Sequence, residues 1–215
     1  LGVDENLGRI LDYLDKNQLT EDTLIIYTGD NGFFLGEYGM FDKRLMYEPS
    51  VRIPMLLRYP AQVRAGQVNR EHMVLNNDVA HTILDYCGMR LPAYTKNHGM
   101  SWKPLLTGAA TSWREDWLYE NFEYPGAHCA PKARGIRTKD WKLIHYIQQP
   151  QAYEMFHLPS DPEERKNLAQ SAEHRNQFDK LRTRLEQLRA ATDDTRGEDN
   201  TPAPPCESRM ARRRR

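Results

Sequence analysis

Apolar residues return at two spacings along this chain, and the spacings mark out its elements. Val3, Leu7, Ile10, Leu11 and Leu14 fall on one face at helical period, so Val3–Leu19 is expected to form a helix. Asp4 and Glu5 sit in its first turn, where the helix dipole favours acids. A polar turn at Asn17–Asp22 leads into Leu24-Ile25-Ile26-Tyr27, a β-branched run of the length of a buried strand. Helix, turn and strand predict a half-unit of a parallel sheet. Ile53–Arg58 predicts a second strand and Glu71–Leu75 a further extended segment. Between the strands, Phe33–Pro49 is too rich in glycine and aromatics for a regular helix and reads as a loop. Asn77-Asp78 caps a helix running to about Tyr86, with Gly88 as its stop.

After Trp113 the pattern shortens. Trp117-Leu118-Tyr119, Gly135–Thr138, Trp141–Tyr146 and Tyr153–Phe156 are strand-like runs separated by turn signals such as Lys139-Asp140. Several strands in succession predict an antiparallel sheet. Phe178, Leu181, Leu185 and Leu188 then predict an amphipathic helix over Glu173–Arg189. Thr192–Arg215 is Pro-rich and charged without periodicity, and is expected to be disordered.

Composition adjusts this picture only in places. A formal net charge of zero leaves no footprint for nucleic acid. No run is long and apolar enough to span a membrane, and Leu1 opens directly onto the first helix pattern. Mean hydropathy is −0.80, and the polarity concentrates after Ser160, so a packed first part and a solvated end are expected. Cys87, Cys129 and Cys206 are too scattered for a disulfide framework or a zinc site. Cys87 reads as a small buried hydrophobe.

The chemistry gathers at the end of the first strand. Gly29-Asp30-Asn31-Gly32 places a carboxylate beside an amide where open α/β sheets bind ligands. Both offer oxygen, which suits a hard divalent cation. Alone, Asp-Asn-Gly is a turn. Here it is followed by Leu35-Gly36-Glu37-x-Gly39, Asp42-Lys43-Arg44, Tyr47-Glu48, Arg52-x-Pro54 and another apolar run. This frame resembles the sulfatase family of the alkaline-phosphatase superfamily. Met100-Ser101-Trp102, Gly135-Ile136-Arg137-Thr138 with Trp141–Ile144, and Glu154-Met155-Phe156 with Asp161-Pro162 and Asn167-Leu168-Ala169 extend the likeness over about Val3–Arg189. The Asp42-Lys43-Arg44 triplet looks closest to sulfatases acting on sulfated amino sugars.

The resemblance implies an α/β fold. Residues 1–110 would form the C-terminal part of the sulfatase sheet-and-helix domain, residues 111–191 a small antiparallel C-terminal subdomain with a packed helix, and residues 192–215 a disordered tail. It implies that Asp30 and Asn31 bind Ca2+ together with two acidic residues expected upstream of Leu1. Lys43 matches a lysine that contacts the sulfate and the leaving oxygen. Arg44 and Glu37 are candidates for binding sugar hydroxyls, and Glu48 and Arg52 for bracing the loop by pairing with backbone or each other. Tyr38 stands where sulfatases usually place His, and it keeps a hydrogen-bond donor without the ability to become a cation near neutral pH. Pro131–Arg134 replaces a segment where related enzymes carry a His, leaving His128 as the substrate-contact candidate there.

Sulfatases take a formylglycine nucleophile from a C-x-P-x-R signature. Cys129-Ala130-Pro131-Lys132-Ala133 and Cys206-Glu207-Ser208-Arg209 both depart from it and lie in the wrong fold order, so the formylglycine is expected in an N-terminal half. The complete enzyme would be a sulfuric ester hydrolase acting on sulfated sugars or glycosaminoglycans, with this chain alone inactive. Family resemblance implies a periplasmic, secreted or lysosomal setting. A phosphonate or phosphodiester hydrolase of the same superfamily and a non-catalytic remnant are the alternatives.

Overall fold

In chain order the first elements are helix α1 (Gly2–Lys16), strands β1 (Ile25–Thr28), β2 (Phe34–Leu35) and β3 (Phe41–Asp42), and the single-turn helix α2 (Glu48–Val51). Strand β4 (Met55–Arg58) and helices α3 (Asp78–Tyr86) and α4 (Lys103–Leu106) follow. Strands β5 (Asp116–Asn121), β6 (Ala133–Thr138), β7 (Trp141–Tyr146) and β8 (Ala152–His157) precede the long helix α5 (Arg175–Ala191). The computed structural model describes residues 2–92, 96, 98–110, 112–124, 130–148 and 151–194. The chain divides into two units, one of Leu1–Asp30 with Ile53–Trp113, the other of Asn31–Arg52 with Arg114 onward.

In the first unit β1 pairs with β4, Ile25 opposite Arg58 and Thr28 opposite Met55. The pairing is antiparallel, which corrects the parallel half-unit expected from sequence. A β-branched run specifies a strand, but its direction is set by how the connection returns. Nor is β1 buried; all four residues are half-exposed. No residue of α1 is buried, and Val3, Ile10 and Tyr13 on it are exposed. Glu71–Leu75, expected to be extended, forms no strand.

What holds α3 and α4 together is polar. Asp78 is wholly buried, and its carboxylate accepts the Leu75 amide at 2.8 Å, the Met100 amide at 2.8 Å and Trp102 Nε1 at 3.1 Å. Thr82 Oγ donates to the Asp78 carbonyl and accepts the Trp102 amide. Asn77 occupies the position before α3 but its side chain makes no capping bond; the neighbouring Asp78 reaches back instead. Gly88 follows the helix at φ 68°, a left-handed conformation that suits a glycine stop. Cys87, expected to be buried, is exposed at the position that follows the last residue of α3.

In the second unit β5–β8 form a four-stranded antiparallel meander in the order β5-β6-β7-β8, as the sequence pattern predicts. Successive side chains point to opposite faces of a strand, and here both faces are covered. One face carries Ile136, Leu143 and Met155, on which α5 lays Phe178, Leu181 and Leu185. The other carries Ala133, Ile144 and Phe156, against which Phe34, Met46 and Tyr47 pack. Gly135 makes that second layer possible, since a Cβ there would run into Met46 Sδ and stand 2.9 Å from the Leu143 carbonyl. The expectation of a packed first part and a solvated end is therefore reversed. Among the described residues, every buried hydrophobic side chain except Trp102 belongs to the second unit. Average polarity misled because α5 is polar around most of its circumference, yet one apolar stripe suffices to bury it.

Thr192 closes α5 by donating its amide to the Leu188 carbonyl, and the buried Asp194 carboxylate ion-pairs with Arg134 at 2.8 Å and Arg189 at 2.9 Å. Residues 195–215, with Cys206 and Arg212–Arg215, lie outside the described residues.

Candidate active site

Asp30 and Asn31 follow β1 directly. In the first unit the Asp30 side chain is exposed and its carbonyl accepts Asn76 Nδ2 at 2.7 Å. In the second, Asn31 Nδ2 donates to the Gly32 carbonyl at 2.6 Å. That bond orients the amide. Gly32 donates its amide to the Ser50 carbonyl at 2.8 Å, and a Cβ on it would collide with the Pro49 carbonyl. This position therefore admits only glycine. Among the described residues no group of three or more His, Cys, Asp or Glu side chains could hold a metal ion. One carboxylate and one amide fit calcium in donor type, but they fall short of the six to eight oxygens it takes.

The chain from Phe33 to Tyr47 is pinned by its main chain. Ser50 Oγ donates to the Lys43 carbonyl at 2.8 Å, while Asn121 Nδ2 and the Tyr119 hydroxyl donate to the Arg44 carbonyl. Met46 and Tyr47 plug the core beneath. Lys43 is thus carried half-buried on a stretch anchored on both sides. The Arg44 guanidinium is held by Asp42 at 2.7 Å and Glu123 at 2.6 Å, which fixes its plane and leaves fewer of its five donors for a sugar.

Glu37 Oε2 accepts the Leu35 amide at 2.6 Å; this and its own amide hold the carboxyl below the usual carboxylate range. Tyr38 adopts a left-handed φ of 57°. Burial and the nearby Glu164 and Glu163 carboxylates push its phenol above the ordinary value, so it stays a neutral donor. Glu37 and Tyr38 both line a cavity of about 630 Å³ in the second unit. His128 and Cys129 lie outside the described residues.

Glu48 and Arg52 do brace the loop through the backbone, the Arg52 amide donating to the Glu48 carbonyl at 2.8 Å, but their side chains do not pair; the Glu48 carboxylate pairs with Arg137 at 3.1 Å and Lys142 at 3.0 Å. Lys142, fully buried on β7, also reaches Glu164 at 2.5 Å. Glu164 Oε2 in turn accepts the Glu48 amide at 2.7 Å. Burial alone would raise the Glu48 carboxyl, but Lys142 and Arg137 outweigh it and hold it low. Burial raises the Glu164 carboxyl, and Lys142 offsets only part of that. This buried lattice escaped sequence analysis. Its one visible signal was a lysine inside the apolar run Trp141–Ile144.

Residues 36–191 match the family model described as "N-sulphoglucosamine sulphohydrolase, C-terminal". The chain belongs to the sulfatase family. It is 40% identical over 190 residues to an N-acetylglucosamine-6-O-sulfatase of Bacteroides thetaiotaomicron, covering 87% of this chain and 34% of that protein. It is 30% identical over 201 residues to an N-acetylglucosamine-6-sulfatase of Bos taurus, covering 80% of this chain and 35% of that one. A solved structure in complex with its substrate D-glucosamine-2-N,6-O-disulfate aligns with TM-score 0.85 and 38% identity, over 93% of this chain and 40% of the other. This sulfatase chain spans about a third of the length of the curated relatives it matches. The α/β fold with an antiparallel sheet and packed helix is that of the C-terminal part of sulfatases. No helix among its described residues is long and apolar enough to cross a membrane.

Proposed function

We propose that this chain supplies part of the active site of a sulfuric ester hydrolase acting on sulfated amino sugars. The observation that carries the reading is 40% identity to an N-acetylglucosamine-6-O-sulfatase over 190 residues. Of the ordered frame from Asp30 to Pro54, the part from Gly36 onward, with Lys43, lies within the family match, and Asp30 and Asn31 precede it. Asp30 and Asn31 would hold a calcium ion jointly with donors from elsewhere in the enzyme. When bound, calcium would neutralise sulfate oxygens and a formylglycine would supply the attacking oxygen.

The remaining roles belong to side chains described above. Charge builds on the leaving oxygen as the S–O bond breaks, and the ammonium of Lys43, carried on an anchored stretch of main chain, offsets it where it develops. Arg44, whose plane two carboxylates fix, contacts the sugar. Glu37 accepts from sugar hydroxyls, and the neutral Tyr38 phenol donates without protonating the leaving group. His128 completes the proposed substrate contacts.

A second reading has a specific likeness behind it. A phosphonate monoester hydrolase of Agrobacterium radiobacter aligns with TM-score 0.76 and 26% identity over 88% of this chain and 39% of that chain. Joining this chain to the N-terminal part of the Bacteroides relative and assaying both ester classes separates the two. The sulfatase reading expects sulfate release from N-acetylglucosamine 6-sulfate to exceed hydrolysis of a phosphonate monoester. The reverse preference overturns it. The chain by itself should release no sulfate, with or without calcium.

A further inference from the structure

The cavity of the second unit is built by two stitches on which the catalytic reading does not draw. Gly32 ties its own segment to the Pro49–Arg52 backbone through the bond to Ser50, which brings Phe33 to Arg52. The Glu48 amide bonded to Glu164 ties the start of α2 to the turn at Asp161–Arg165. The Asp161 carboxylate fastens that turn by accepting the Arg165 amide at 3.1 Å and the Lys166 amide at 2.9 Å. Glu163 and Arg165 stand on its rim as an exposed pair at 2.8 Å.

The lining has three kinds of group. Phe33 and Tyr38 are 41% and 39% exposed, large aromatic surfaces left open at the cavity. The Glu37 carboxylate is an anchored acceptor. Arg52 is exposed, and its guanidinium makes no hydrogen bond or ion pair with another described residue. Glu48, the carboxylate beside it on α2, is already committed to Arg137 and Lys142, and Glu163 to Arg165. The cavity therefore offers an uncommitted guanidinium, an oriented acceptor and aromatic faces together. Its volume of about 630 Å³ falls in the range of small-ligand sites.

We propose that this cavity is a saccharide-binding site for a sugar ring bearing an anionic group, with the ring against Phe33 and Tyr38 and the anion on Arg52. Sugar hydroxyls donate to Glu37. The inference rests on the sulfated-sugar reading, shares Glu37 and Tyr38 with it, and adds Phe33 and Arg52. The anion is a sulfate or a carboxylate, both of which match the planar fork of arginine.

The test is titration of the 215-residue chain with N-acetylglucosamine 6-sulfate, unsulfated N-acetylglucosamine and inorganic sulfate, followed by nuclear magnetic resonance. The sulfated sugar is expected to bind more tightly than either part alone. Arg52→Ala should weaken it roughly tenfold or more, to the level of the neutral sugar, as loss of a charge-assisted contact does. Arg52→Glu should abolish it, and Phe33→Ala should weaken sulfated and neutral sugars in equal proportion. Arg52 is exposed, so neither of its variants threatens folding. Binding unchanged in both Arg52 variants overturns the proposal, as does the absence of binding by the parent chain. Binding lost in Lys43→Ala and kept in Arg52→Ala also overturns it while leaving the catalytic reading intact. Failure of sulfate release in the joined enzyme, with Arg52-dependent binding retained, strikes only the catalytic reading.

Discussion

The two units of this sulfatase chain are held by opposite means. The second buries apolar side chains on both faces of one sheet, with Ile136, Leu143 and Met155 under α5 and Ile144 and Phe156 under the Phe34–Tyr47 loop. The first buries a single large apolar side chain among its described residues, Trp102, and hangs it on the Asp78 carboxylate. A sheet closed on both faces is redundant, because many contacts share the load. A polar hub is not, because each of its donors has one acceptor and water cannot replace it. The difference predicts where each unit breaks.

The largest effect is expected at the hub. Asp78→Ala strands the buried Trp102 indole, at about 1–3 kcal/mol, and unties the half-buried Leu75 and Met100 amides at a smaller cost each. Hydrogen exchange should show α3 opening while β6 and β7 keep their protection. Equal loss of protection in both units would break the comparison. Next comes Lys142→Ala, which leaves Glu164 buried without its cation and should cost about 3–5 kcal/mol in urea unfolding. The exposed pair of Glu163 and Arg165 sets the contrast, since removing Arg165 should cost no more than about 1 kcal/mol.

Leu143→Ala should cost about 2–5 kcal/mol, because the side chain is fully buried between strands and α5. Ile10→Ala, on an α1 face where the side chain is mostly exposed, should stay within about 0.5 kcal/mol. A comparable cost at both positions would show that α1 is packed more tightly than its exposure says.

The smallest effect is a pH dependence. Glu48 has its carboxyl lowered in the fold, so its stabilisation is present above the unfolded carboxyl value and is lost as pH falls through the lowered one. Glu164 is raised, so its contribution has the opposite sign: stability is present at low pH and is lost as pH rises through the raised value. Urea unfolding between neutral and acid pH should therefore fall less steeply for Glu48→Gln than for the parent chain. An identical slope in the two would sink that account of Glu48.

The sequence was informative wherever a period decides structure. Short strand-like runs bounded by turn signals placed β5–β8, and the Phe178–Leu188 stripe placed α5, because one buried helix face fixes a residue period regardless of what covers it. It was silent where a partner decides. Nothing in Ile25–Thr28 says that β1 pairs antiparallel with Arg58–Met55, and nothing in Glu48 says that its cation sits 94 residues away on β7 rather than at Arg52. The candidate site divides the same way. Asp30, Asn31 and Lys43 stand out through fixed spacing. Arg52 as a cavity cation emerges only when Glu48 is seen spending its charge on Arg137 and Lys142.

The central claim is that Lys43 carries charge to the reacting sulfate ester from a stretch fixed by Ser50, Tyr119 and Asn121. Steady-state sulfate release by the joined enzyme, parent against Lys43→Ala, tests it directly once both are shown to fold. The account predicts a fall in kcat of roughly a hundredfold to a thousandfold, with Arg44→Ala raising KM instead. Turnover near the parental value in Lys43→Ala would contradict it.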